Sequence, residues 1–398
     1  MTKIKSLCEK HYYSVFFFLF ILVYSCIVPG GLRPWETVEV TRCFHAVNYS
    51  MGFCSRFLPG AIYNFIFGAV DETTLNLYLS VLMVVFFLGL SFFLEKFILS
   101  VEREYRFVAM IVMLFFVTGP ATFSIYIKVL GMLDVYWVFA ALLFFILLSK
   151  KQTWIFLFVP FLLCVLTYFV TWICYIPFFI LIILYKISIT DTKKEKVYLW
   201  LSLFIAAAGA LIITLYFAVY EKGNLVYTVD EFIDIINSQG IKETAYYTES
   251  MYYNIDGTAY TGNIFKELLV RASINFIGFN AFTNIPLYLL VAPVVAFIYK
   301  FFIKQISVAS NKLKKFSYAC MMLLFVGTFV FSFALSTDFV RWLGHAFLPL
   351  FTGFIYVLHN EGREAWEYVD VCINKSNIKK VITFLVFYAL IVYDPYMT

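Results

Sequence analysis

Apolar residues in this chain fall into long runs separated by short polar or charged connectors. A run of about twenty mostly apolar residues is what crosses the hydrocarbon core of a bilayer as a helix. Runs of this kind lie at 12–29, 74–95, 107–126, 132–149, 154–169, 171–187, 197–219, 283–303, 316–335, 341–358 and 380–395. The pattern predicts an all-α, polytopic membrane protein of about eleven spans, two of which meet near 167–171 with almost no loop.

The connectors set an orientation, because loops on the cytoplasmic side carry the excess of Lys and Arg. With the N-terminus inside, the inner segments 3–10, 96–106, 150–151, 186–196, 300–315 and 363–380 hold 21 of the 30 basic residues. The predicted topology is therefore N-terminus cytoplasmic and C-terminus outside. Inner loops such as "SITDTKKEKV" and "NEGREAWEYVDVCINKSNIKK" read as solvated connectors that fix topology. Two longer pieces fall outside, 30–73 and the Tyr-rich 220–282, and neither is long enough to stand as a soluble domain. Residues 1–398 are thus expected to form one transmembrane domain. The first apolar run lacks a small-residue cleavage site and reads as a retained anchor. No internal repeat stands out, which weighs against a transporter built from symmetric halves.

Composition agrees. Hydrophobic residues make up 63% of the chain and charged ones 14%, against about half and a quarter in ordinary soluble domains. The eight Cys show no CxxC pair, Cys/His cluster or HExxH, so zinc and haem sites are not expected. Cys43 and Cys54 share one outer loop and would be either a disulfide or two free thiols. No P-loop, nucleotide fingerprint or Ser-hydrolase elbow is present. "GTAYTGN" lacks the flanking strand and Lys of a phosphate cradle. Nucleic acid is not among the expected partners.

The candidate chemistry lies at predicted outer span ends. In "STDFVRWLGHAFLPLF", Asp338, Arg341 and His345 are spaced by three and then four, one face of a helix. Ionisable groups within spans usually face protein or water rather than lipid. The alternative is an interfacial Asp338–Arg341 pair with His345 packed beside it. In "MGFCSRFLPGAIYNFIFG", Gly52, Pro59 and Gly60 punctuate a segment whose apolar positions recur at helical spacing up to Phe67. This segment predicts a short interfacial or re-entrant helix. Arg56 beside its start would either bind phosphate through its forked donors or snorkel at the membrane surface. Glu36 and Glu39 in the same loop supply carboxylates for a general base, or surface charges paired with Arg33 and Arg42. Asn48 opens an "NYS" sequon.

In "IKVLGMLDVYW", Lys128 lies outside and Asp134 opens the next span, either as a site carboxylate or as a helix-start acid favoured by the dipole. The loop "TVDEFIDIINSQ" carries the capping-box pattern, Thr228 three residues before Glu231. Tyr246, Tyr247, Tyr252, Tyr253 and Tyr260 beyond it suit sugar stacking and, as the cheaper explanation, the membrane interface, where aromatics are enriched anyway. Arg271 and Asn275 close the same outer piece.

A short loop helix of the "MGFCSRFLPG" kind, an Asp opening a middle span in "GMLDVYW" and a late "TDFVRW" together resemble bacterial envelope-polysaccharide proteins. The chain is similar in layout to multispanning GT-C-like glycosyltransferases and to O-antigen or capsular polysaccharide polymerases. The resemblance implies a polyprenyl-phosphate-linked sugar donor, a glycan acceptor and reaction at the outer face of the bacterial cytoplasmic membrane. It also implies membrane lipids and other polysaccharide-assembly proteins as partners. It carries the catalytic carboxylate onto Glu36 or Glu39 and the phosphate-binding cations onto Arg56 and Arg341. The Asp-Asp or Asp-x-Asp pair common in the GT-C group is absent.

Read on residue chemistry, Glu36, Glu39, Asp134, Asp338 and His345 are the acid–base candidates. Arg56, Lys128 and Arg341 are the cations for a leaving phosphate. No motif names a cofactor; outer carboxylates would accept a divalent cation, Mg²⁺ or Mn²⁺, although no spacing demands one. The competing expectations are a transporter or flippase for a lipid-linked glycan or anionic lipid, and an accessory envelope subunit. The enzyme reading expects these scattered groups to share one water-filled pocket opening away from the cytoplasm.

Overall fold

The computed structural model describes residues 11–28, 31–32, 39–52, 57–68, 71–119, 135–149, 169–220, 227–239, 252, 285–335 and 339–390. In chain order the helices are α1 (Tyr12–Cys26), α2 (Glu39–Ala46), α3 (Phe57–Phe67), α4 (Glu72–Ser100), α5 (Arg106–Val117), α6 (Val135–Ser149) and α7 (Phe169–Ile189). They continue with α8 (Lys193–Tyr220), α9 (Val229–Ser238), α10 (Ile285–Val308), α11 (Lys312–Leu335), α12 (Phe339–Glu361), α13 (Arg363–Asp370) and α14 (Ser376–Leu390). Apart from a two-residue antiparallel ladder, Ile27–Val28 with Gly31–Leu32, the described residues form an all-helical protein.

Helix stands at ten of the eleven predicted runs; the eleventh, 154–169, lies almost wholly outside the described residues. Among the described residues, four helical stretches are long and apolar enough to cross a membrane: Glu72–Ser100, Ile285–Val308, Lys312–Val330 and Trp342–Glu361. At 1.5 Å per residue the 29-residue α4 extends about 44 Å, more than the ~30 Å hydrocarbon core. Its outward-facing Leu77, Val81 and Val85 are each more than half exposed, a surface that water disfavours and lipid does not. This is a membrane protein.

The chain divides into two compact units, one of residues 1–35, 82–128 and 275–398, the other of 36–81 and 129–274. In the first unit, α12 is the enclosed helix. Phe351 stacks on Phe116 of α5 at 5.5 Å, and Phe354 meets Phe301 of α10 edge-on at 4.9 Å. Helices α10 and α11 form an antiparallel hairpin zipped by ring pairs Tyr288–Phe329 and Phe302–Tyr318. Tyr299 also donates to the Met322 carbonyl at 2.7 Å.

Polar contacts gather at one end of this unit. Glu95 of α4 is buried and accepts from the Ser14 amide at 2.8 Å, while His11 lies 2.7 Å from its other oxygen. A buried carboxylate is tolerable only when paired and hydrogen-bonded in this way. At the same end Lys314 of α11 pairs with Glu361 of α12 at 2.6 Å, and Ser100 lies 3.2 Å from His359. Arg363 reaches Glu104 at 3.3 Å and Glu102 at 4.0 Å; a hydrogen bond with Tyr105, then these two acids, holds its guanidinium above its usual range.

The opposite end of the first unit is closed by Tyr24, which donates to the Ala389 carbonyl at 2.8 Å and accepts from the Gly119 amide at 3.3 Å. Gly119 has φ +93°, and a Cβ there would stand 1.9 Å from the Tyr388 ring. Only glycine fits both the backbone conformation and the space.

The connector 363–380 departs from expectation. Rather than a solvated loop it folds into amphipathic α13 and a π-helical turn at Val371–Lys375. Ala365, Trp366 and Val369 are buried, and Trp366 meets Phe97 edge-on. Alternating charges hid a 3.6-residue apolar stripe.

In the second unit α6 and α7 pack through Phe144 on Phe179 at 4.7 Å, and α7 runs into α8 as a hairpin. The capping box at α9 is present. Thr228 accepts from the Glu231 amide, and Glu231 accepts from the Thr228 amide at 2.8 Å. Hydrogen bonds from Thr228 hold the Glu231 carboxyl below its usual range. Of Tyr246, Tyr247, Tyr252, Tyr253 and Tyr260, only Tyr252 is among the described residues. It packs on Phe232 and donates to the Tyr227 carbonyl, so it braces this loop.

Candidate functional site

Two places in the fold carry the predicted chemistry, one in each unit. In the first unit it is the start of α12. Arg341 is the third residue of the helix and His345 follows one turn later on the same face. Asp338 lies outside the described residues, and the helix begins immediately after it. The Arg341 side chain is not described. His345 is buried at 1% exposure, with its ring centroid 5.3 Å from that of Trp342.

The burial of His345 is not local. From Trp342 to Glu361, 94% of the most apolar window of α12 is buried, against 22% to 39% in the other three span-length helices. His345 therefore belongs to a helix that protein surrounds. Arg341 and Glu361 are twenty residues apart, about 30 Å along the axis. The Arg341 end is thus remote from the end at which Lys314, Glu361, Arg363 and His359 gather.

Trp342 was not among the sequence candidates. Its indole N–H is buried and makes no hydrogen bond among the described residues. A buried unpaired donor costs roughly 1–3 kcal/mol, so natural folds retain few of them. Between Arg341 and His345 it is a donor available to an oxygen-bearing ligand. A Trp in an apolar run reads as core or interface, and no signal in the sequence marked it otherwise.

In the second unit the candidates belong to the first outer loop. Glu39 is the first residue of α2, a helix that sequence reasoning did not expect there. The unused signal was Cys43, Phe44 and Val47, apolar at helical spacing and all buried. Arg42 pairs with Glu72 at the start of α4, 3.3 Å away. Helix α3 packs its backbone against the end of α2, where a Cβ on Gly60 would overlap the Val47 carbonyl at 1.8 Å. Asn64 donates to the Gly60 carbonyl at 2.7 Å. Asn48 of the sequon caps the turn Tyr49–Met51 by accepting from the Ser50 amide at 2.9 Å. His45, also unflagged by sequence, is buried at 1% exposure.

The face of α3 turned away from α2 exposes Ile62, Ile66 and Phe67, and Phe65 is 92% exposed. Asp71 then caps α4 by accepting from the Thr74 amide and hydroxyl at 2.9 Å each, bonds that hold its carboxyl below the usual range.

Glu36, Arg56, Lys128, Asp134, Arg271, Asn275 and Cys54 lie outside the described residues. Among the described residues no group of three or more His, Cys, Asp or Glu is placed to hold a metal ion. The outer carboxylates that would accept one, Glu36, Asp134 and Asp338, are not among them. No family model, curated protein or solved structure matches the chain.

Proposed function

We propose that the chain is a multispanning glycosyltransferase or polysaccharide polymerase of the bacterial cytoplasmic membrane, taking sugar from a polyprenyl-phosphate-linked donor at the outer face. It crosses the membrane about eleven times with its N-terminus inside. The orientation is supported by the segments 96–106, 300–315 and 363–380, which carry much of the basic charge and meet at one end of the first unit. Helix α3 lies in the outer interface, with Phe65 and its apolar neighbours in lipid.

One observation carries the reading. Arg341 and His345 open a helix that, of the four span-length stretches among the described residues, is the one enclosed by protein, at its end away from the basic cluster. In glycosyl transfer the bond from the anomeric carbon to the phosphate oxygen breaks, and a bond to the acceptor oxygen forms. The phosphate leaves with increased negative charge, which a fixed guanidinium stabilises. The acceptor hydroxyl loses its proton to a base, for which His345 or Asp338 serves. Arg341 holds the leaving phosphate, with Lys128 as a further cation.

Purified protein should then transfer sugar from a polyprenyl-linked donor to an acceptor. Arg341→Ala should lower turnover about a hundredfold or more while inserting and accumulating as the parent does. Parental glycan formation by that variant would refute the assignment. Passage of an intact lipid-linked glycan across vesicles, with no bond broken, would instead make the chain a flippase.

A further inference from the structure

The α10–α11 hairpin ends in a concentration of positive charge that the proposed chemistry does not use. From Ile285 to Leu335 the chain holds five Lys and not one Asp or Glu. Lys314 is consumed by Glu361. Lys300, Lys304, Lys312 and Lys315 remain, and their ammonium groups make no ion pair or hydrogen bond among the described residues; the first three are exposed and Lys315 is half-exposed. Lys300 and Lys304 are spaced by four on α10 and Lys312 and Lys315 by three on α11, so each pair shares a helix face.

The antiparallel hairpin brings both pairs to one level. Lys304 and Lys300 stand about 6 and 12 Å from the end of α10, and the other two lie in the first turn of α11. Ile303, Val308 and Phe316, each more than half exposed, are interleaved with them. Bare lysines suit any anion. Lysines banded with exposed aliphatic and aromatic side chains, at the end of two membrane-length helices, suit an anion that carries acyl chains.

We propose that this end of the α10–α11 hairpin docks anionic phospholipid headgroups, with Ile303, Val308 and Phe316 against the acyl chains. The start of α8 offers an internal contrast. Lys193, Lys194 and Lys196 are interleaved with Asp191 and Glu195, which offset much of their charge.

The test uses the full chain in a neutral detergent, with native mass spectrometry counting retained phosphatidylglycerol against phosphatidylcholine. The parent should prefer phosphatidylglycerol, and the preference should collapse at molar salt. Replacing Lys300, Lys304, Lys312 and Lys315 together by Gln should weaken it on the order of a hundredfold, with an unchanged melting temperature. Replacing Lys193, Lys194 and Lys196 by Gln should leave the preference near the parent's. Equal affinity of the parent for both lipids, a preference that survives the fourfold change, or an equal loss in the α8 control would each overturn the proposal. Displacement of the lipid by millimolar inorganic phosphate would also overturn it, marking a soluble-anion site. None of these readouts depends on sugar transfer, so the lipid site and the proposed activity fail separately.

Discussion

Helices α11 and α12 are consecutive, nearly equal in length and close in mean hydropathy, yet their surroundings are opposite. In the most apolar stretch of α11 22% of residues are buried, and in that of α12 94%. Leu323, Val326 and Val330 of α11 point away from the protein, whereas no large apolar side chain described on α12 does. An apolar helix is therefore ambiguous. It is apolar either because lipid covers it or because protein does, and only the second setting can shelter charge at low cost. That difference is why a buried His345 is tolerated on α12, and why the lysines of α11 are confined to its first turn.

The comparison breaks most visibly through packing. Phe354→Ala on α12 removes a ring at 1% exposure that meets Phe301 at 4.9 Å, and should cost about 3–5 kcal/mol. Leu323→Ala on α11, at 66% exposure, should change stability by less than about 0.5 kcal/mol. Unfolding of both variants in one detergent decides the matter; similar losses would mean that α12 is no more enclosed than α11. Gly119→Ala comes next. It forces a Cβ toward the Tyr388 ring at a residue with φ +93°, and should cost about 2–4 kcal/mol in the same assay.

Trp342→Phe separates function from packing at the start of α12. The variant keeps an aromatic ring but loses the unpartnered N–H. Its stability should stay within about 1 kcal/mol of the parent, since a desolvated donor is removed along with some volume. Sugar transfer should fall about tenfold if that donor meets substrate. A turnover equal to the parent's would remove Trp342 from the site and leave Arg341 and His345 standing.

The helical class, ten of the run positions, the α9 capping box and the face shared by Arg341 and His345 were legible in the sequence because each depends on local periodicity. What was not legible depends on neighbours. Hydropathy assigned α11 and α12 the same environment, since Phe351 and Leu323 are equally apolar. It treated the segment of α13 as solvated because charges at Arg363, Glu364, Glu367 and Asp370 outnumber the buried Ala365, Trp366 and Val369. Helix α2 was missed for a similar reason. Eight residues give little periodicity, and the packing that stabilises them comes from Gly60 and its neighbours on α3. The role of Trp342 was unreadable, because an unpartnered donor is defined by what surrounds it.

The smallest expected effect has the opposite sign. Gly327 sits in mid-α11, exposed, with nothing within 4 Å of a built Cβ. Glycine inside a helix costs roughly 0.5–1 kcal/mol relative to alanine, and here no close approach of another backbone compensates. Gly327→Ala should therefore stabilise the protein by about that amount, read as a small rise in melting temperature. The open space is what a lipid-facing surface provides. If α11 instead packs against a second protein through this face, the added methyl would collide and the sign would reverse. A destabilised Gly327→Ala variant would thus say that the exposed side of α11 is covered by protein in the membrane, and that the contrast with α12 holds only for the isolated chain.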